Sequence, residues 1–365
     1  MLMGPRTIAA GLARPGRPQE DTAVNTISKA ILGMALSAAA LLPLATPARA
    51  DMVWSGWTQA RFNVMDSALD KPSEFDLRRV RIKYAGTLLD ENTDAAVQID
   101  LAKLDDRQND SDPRNRRVVL KDVWVRHHFN PESALRLGLT STAFGFEEEQ
   151  GDDARLPLER SKVATSFFPD EKDEGLYYLY TRQHSGTPQV ALGYTNGIVS
   201  WGDKATNGDQ DTRDHAWVAR AQWQLPRAGV AGVSYTNATR RRNVGGTESD
   251  FDQTCLGAHV RYNGANHLNF QGEYYTGQIL SVDSKGWYAQ VDYTPGPKKI
   301  MPYYRYDVFD DGVAGHENFR RHTLGAAYDE SKSQRFSLQW EHYDELKGGT
   351  FDNLGLQWQF KYGGK

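Results

Sequence analysis

Residues 79–88, RVRIKYAGTL, alternate charged or polar side chains with apolar ones: Arg79, Arg81, Lys83 and Thr87 against Val80, Ile82, Tyr84, Gly86 and Leu88. Successive side chains of a strand point to opposite faces, so this segment has one greasy face and one wet face. Similar segments recur along the chain with turn-forming residues between them and no helical periodicity. Sixteen are counted, at 52–65, 75–89, 94–104, 116–129, 133–142, 175–184, 188–196, 213–225, 229–239, 252–262, 267–277, 284–294, 300–309, 317–328, 334–344 and 352–362. Connectors after even-numbered segments are short, as at 130–132 and 226–228. Those after odd-numbered segments are mostly longer, and one runs from 143 to 174. Short turns at one end and long loops at the other predict a closed antiparallel transmembrane β-barrel, an all-β fold without edges.

Composition excludes most alternatives. The 365 residues are 39% hydrophobic, yet include 17 Tyr, 14 Phe, 9 Trp and 33 Gly. A membrane barrel needs only an outward apolar band with aromatic girdles, because its interior is wet. In a soluble sandwich both sheets need an apolar inner face. Here the would-be inner faces carry Gln, Asn, Arg, Asp and Glu on nearly every strand. On the segment 213–225, Trp217, Ala219, Ala221, Trp223 and Leu225 form the lipid face, and Arg220, Gln222 and Gln224 the lumen face. The single Cys255 leaves no intramolecular disulfide, and a net charge of −4 points away from nucleic acid.

The N-terminal region carries an export signal. Lys29 precedes the apolar run 31–44, and Ala48-Arg49-Ala50 supplies a small-x-small cleavage pattern before Asp51. Residues 1–50 are therefore expected to be leader and signal peptide, with 1–25 an overlong leader or the product of a misplaced start codon. Residues 51–365 are expected to be the barrel, in the outer membrane of a Gram-negative bacterium.

Five segments carry a family resemblance: FDLRRVRIKYAG (75–86), VLKDVWV (119–125), LRLGLTSTAFGFE (135–147), LERS (158–161) and DEGLYY (173–178). Together they resemble the phosphate-selective porin O and P family. The resemblance is strongest over 52–200 and continues as barrel pattern beyond. It implies a 16-stranded barrel, a homotrimer, a third external loop folded into the lumen, lumen arginines, and passive uptake of anions, phosphate above all.

The candidate site combines that loop with the wall. Connectors longer than about 15 residues are uncommon without a role, and 143–174 holds Glu147, Glu148, Glu149, Asp152, Asp153, Arg155, Arg160 and Lys162 among an excess of acids. Period two puts Arg61, Arg79, Arg81, Lys83, Arg126, Arg136 and Arg220 on the lumen face. Charges on a pore wall set ion preference. An acidic loop across a basic wall predicts a transverse field that orients polar solutes. The expected permeants are small hydrophilic solutes, notably inorganic anions, and the expected surroundings are outer-membrane lipid and lipopolysaccharide. Arg240, Arg241 and Arg242 are expected in the fifth external loop, as solvated surface, as a basic vestibule or as a site for lipopolysaccharide phosphates. The alternative is a plugged structural or adhesive barrel without conductance. No catalytic motif, metal-ligand spacing or cofactor signature stands out: the nine histidines are scattered, and Cys255 reads as a small filler.

Overall fold

The computed structural model describes residues 51–65, 73–88, 90–102, 118–169, 172–181, 186–197, 215–244, 247–347 and 349–363. The proposed leader and signal, 1–50, lie outside them. Strands β1 (Asp51–Met65), β2 (Glu74–Thr87), β3 (Thr93–Asp100), β4 (Val119–Asn130), β5 (Ser133–Ser141), β6 (Lys172–Tyr180), β7 (Gln189–Thr195) and β8 (His215–Leu225) form the first half. The second half is β9 (Gly229–Val244), β10 (Thr247–Asn263), β11 (Leu268–Ile279), β12 (Val282–Tyr293), β13 (Ile300–Asp310), β14 (Phe319–Asp329), β15 (Gln334–Asp344) and β16 (Thr350–Gly363). Each pairs antiparallel with its sequence neighbours, and β1 also pairs with β16, so the sheet closes into a barrel. Closure satisfies the ladder hydrogen bonds that a membrane would leave without partners.

The polarity is inside out, as the alternation requires. Leu137 is 62% exposed and Trp217 65%, whereas the inward Arg305 is 0% exposed. No helix of the described residues is long and apolar enough to cross a membrane; the strands do the crossing. Ring pairs such as Phe336 on Trp358 and Tyr194 on Trp217 add to the outer apolar face.

Three of the departures from the period-two reading bear on the charged residues expected above. First, β2 carries a bulge: Gln59 pairs with Arg79 and Ala60 with Leu77, leaving Arg78 between them. A bulge re-aims its extra side chain, and Arg78 reaches the same acid as Arg79. Second, β9 and β10 run well beyond their expected ends and are joined by only residues 245–246. Arg240, Arg241 and Arg242 therefore belong to β9, in register with Phe251, Asp250 and Ser249, and not to a loop. Third, the long connector is shorter than expected, because Lys172, Asp173 and Glu174 already belong to β6. It also contains a helix, α1 (Lys162–Phe167).

Candidate functional site

The connector between β5 and β6 touches inward side chains on both arcs of the ring. Near its start Gly145 donates its N–H to Ser234 on β9 (3.0 Å). Farther on, Leu158 donates to Gln339 on β15 (2.9 Å), and Gln59 on β1 and Gln359 on β16 donate to the Asp152 and Asp153 carbonyls. Two forces hold it. On the β10–β14 side Phe144, Val163, Phe167 and Phe168 are fully or almost fully buried, packed with Cys255, Tyr275, Tyr288, Phe309 and Phe319. Burying such side chains contributes roughly 1.5–3 kcal/mol each before ordering costs. On the β1–β2 side the hold is electrostatic.

There Asp152 and Glu159 meet five arginines. Asp152 pairs with Arg79 (3.0 Å), with Arg81 and with Arg155. Glu159 pairs with Arg61 (2.7 Å), Arg78 (2.6 Å) and Arg79 (3.2 Å). Burial alone would push the Asp152 carboxyl up, but Arg155, Arg79 and Arg81 outweigh it and hold the group well below the usual carboxylate range. Glu159 behaves likewise: burial opposes ionisation, and Arg79, Arg78 and Arg61 overcome it.

A second knot lies on the opposite arc. Ser161 caps α1 by accepting from the Ala164 N–H (3.3 Å) and donates its hydroxyl to Glu147 (2.6 Å). Arg305 donates to Glu147 (3.3 Å) and to Asp307 (3.0 Å), and Arg321 joins Asp307 (3.3 Å) and Glu341 (3.2 Å). Glu148 pairs with Arg160 within the loop, Glu149 with Arg220 (2.5 Å), and Asp153 with Lys361 (2.7 Å). Lys162 lies 5.0 Å from the Phe319 ring centroid.

Of the seven expected wall cations, Arg61, Arg79, Arg81 and Arg220 thus meet the loop. The charges touch instead of facing one another across a gap, so the expected field between an acidic loop and a basic wall is largely cancelled at contact. Among the described residues, Lys83, Arg126 and Arg136 make no ion pair with the loop, although Glu149 lies within electrostatic reach of Arg136. Lys83 is partly exposed on the face of Arg81. Arg126 and Arg136 stand directly opposite each other on β4 and β5. Arg126 pairs with Asp94 (2.6 Å). Arg136 lies over the Tyr177 ring (5.2 Å), and its Nε and Nη2 are buried without a hydrogen-bond partner among the described residues. Arg78, Ser161 and the loop-bonding Gln59, Gln339 and Gln359 are absent from the site expected from the sequence. A bulge, a helix cap and neutral wall residues carry no charge-pattern signal.

A closed 16-stranded barrel with a charge-lined interior is porin architecture, and the family follows from the sequence itself. The sequence model of the family "phosphate-selective porin O and P" matches residues 55–311. The chain belongs to that family. It is an outer-membrane channel by family and fold. No curated protein matches the sequence of this porin. Solved structures share its fold at low identity. The outer membrane channel DcaP of Acinetobacter baumannii is 12% identical, with a TM-score of 0.62 over 87% of this chain and 99% of that one. An anion-selective porin from Comamonas acidovorans is 13% identical, with a TM-score of 0.59 over 87% and 100%. OmpT of Vibrio cholerae, in its trimer form, is 13% identical, with a TM-score of 0.60 over 86% and 99%. Among the described residues of this porin, no group of three or more His, Cys, Asp or Glu could hold a metal ion.

Proposed function

We propose that the channel passes small hydrophilic solutes by diffusion and favours anions, inorganic phosphate among them. The observation that carries this reading is the Arg126–Arg136 pair. Elsewhere on the wall each cluster of arginines is met by acids: Asp152 and Glu159 beside β1 and β2, Glu147, Asp307 and Glu341 beside β13 and β14. On β4 and β5 two arginines share one contacting carboxylate, Asp94. Like charges directly opposite each other in a sheet are unfavourable, and a passing anion relieves that repulsion. Release stays fast because one excess charge attracts without trapping. The loop narrows the lumen and pairs with most of the arginines on β1, β2, β8 and β13, which leaves the preference chiefly to this arc.

Three further assignments belong to the same reading. Residues 1–50 direct export and are removed near Ala50. The chain assembles as a homotrimer, in keeping with the trimer form of the Vibrio OmpT. Its outer face sits in lipid and lipopolysaccharide. Swelling of proteoliposomes tests the transport reading. Neutral and singly charged anionic solutes of matched size, each at isotonic concentration, are expected to enter, the anions faster. Equal rates would remove the anion preference, and no entry of either would leave the plugged barrel.

A further inference from the structure

Between Thr142 and Glu147 the chain turns from β5 toward the interior, and one side chain on β11 receives that turn. Glu273 is almost fully buried. One of its oxygens accepts the Glu147 N–H (2.6 Å) and the Tyr288 hydroxyl (3.0 Å). The other accepts the Phe146 N–H (3.1 Å) and the Tyr275 hydroxyl (2.5 Å). When ionised, a carboxylate offers about four lone-pair sites, and two backbone donors and two phenols match that capacity. Gly145, at φ +57°, makes the approach possible: a Cβ there would stand 2.2 Å from a Glu273 oxygen and 2.4 Å from the Tyr275 hydroxyl. Arg220 donates to the Gly145 carbonyl (3.2 Å), and the Phe144 ring packs edge-on against Tyr275 (5.0 Å).

None of these contacts is needed for the ladder of β11, which pairs through its backbone with β10 and β12. They fasten the loop. Resting on the reading of this loop as the constriction, we infer that Glu273 is a positioning residue for the channel: its carboxylate seats the elbow at residues 145–147 and so sets the width of the passage. A glutamine has the same shape but must turn an NH2 toward one backbone N–H and one phenol. The phenol can rotate away; the backbone N–H cannot.

Single-channel recordings of the full-length protein, matured and purified from outer membranes, test this. Glu273→Gln is expected to raise unit conductance about twofold and to increase open-channel current noise, as a narrowing element becomes mobile. Tyr288→Phe, which removes one donor and keeps the ring, should shift both in the same direction by less. Asp292→Asn is the control for loss of a lumen charge, because Asp292 bonds Asn269 and Gln290 and not the loop; its noise should match wild type. Noise in Glu273→Gln no greater than in Asp292→Asn would overturn the inference. If Glu273→Gln fails to assemble, Tyr288→Phe decides by the same criterion. If wild type does not conduct at all, the transport reading falls by itself, and tryptic cleavage at Arg155 and Arg160 then judges the seat. Faster cleavage in Glu273→Gln supports it, and an unchanged rate overturns it.

Discussion

Replacing Arg136 by glutamine is expected to cut the chloride-over-potassium permeability ratio about fivefold. Arg136 faces Arg126 across β4 and β5, lies over Tyr177, and has two guanidinium nitrogens without a hydrogen-bond partner among the described residues. A unit charge about 8 Å from an ion's path is worth about 0.5 kcal/mol at a dielectric constant near 80, with opposite sign for chloride and potassium; the two differ by about 1 kcal/mol, which is that factor in relative permeability. The effect should shrink in high salt, where screening shortens its reach. Arg305→Gln serves as the contrast. That side chain is fully buried between Asp307 and Glu147, so its loss should disturb assembly of the loop more than ion preference. Reversal potentials under a KCl gradient separate the two. An unchanged ratio in Arg136→Gln would shift the origin of selectivity away from β4 and β5.

The second large effect is expected at Asp152. Its carboxylate is shared by Arg79, Arg81 and Arg155, and its side chain is almost completely buried. Removing one partner of a buried ion cluster costs roughly 3–5 kcal/mol, because the charges left behind are uncompensated. Asp152→Asn should therefore unseat the loop on the β1–β2 side while leaving the closed ladder of the barrel intact. Tryptic cleavage at Arg155 and Arg160, slow in wild type, is expected to accelerate on the order of a hundredfold or more. Acid should act through the same groups. The Asp152 and Glu159 carboxyls lie below their ordinary values in the folded state. Their contribution is thus complete above the unfolded carboxyl values of about 4, and is lost only as pH falls from there toward the depressed native values. Wild-type loop protection should consequently persist at pH 5 and fade in stronger acid. Cleavage rates that are equal in wild type and Asp152→Asn would refute the electrostatic hold on the β1–β2 side.

Much of this was legible because a barrel forces its chemistry into a simple period. The lipid side tolerates Leu137, Trp217 or Leu256 and the inner side tolerates Arg61, Arg81 or Gln357, so parity alone sorts them. Where that contrast fades, the reading fails. Residues 240–250 show no apolar alternation in the sequence, so Arg240–Arg242 read as loop although their backbone pairs with Ser249–Phe251. At Arg78 a bulge shifts the parity by one and brings two consecutive arginines onto Glu159. The candidate site was legible as a list and not as a pattern of contacts. A row of acids in 147–159 and a row of wall arginines do not say which acid meets which base. That Arg79 and Arg81 pair with Asp152 while Arg136 feels Glu149 without an ion pair depends on how the connector crosses the ring. The seat at Glu273 was hidden for the same reason: its partners are two backbone N–H groups more than a hundred residues away.

The most direct test of the central claim is the reversal potential of the wild-type protein in a planar bilayer under a KCl gradient. An anion-selective potential, moved toward zero by Arg136→Gln, is the expected result. A cation-selective potential would mean that acids govern the passage and would contradict the account.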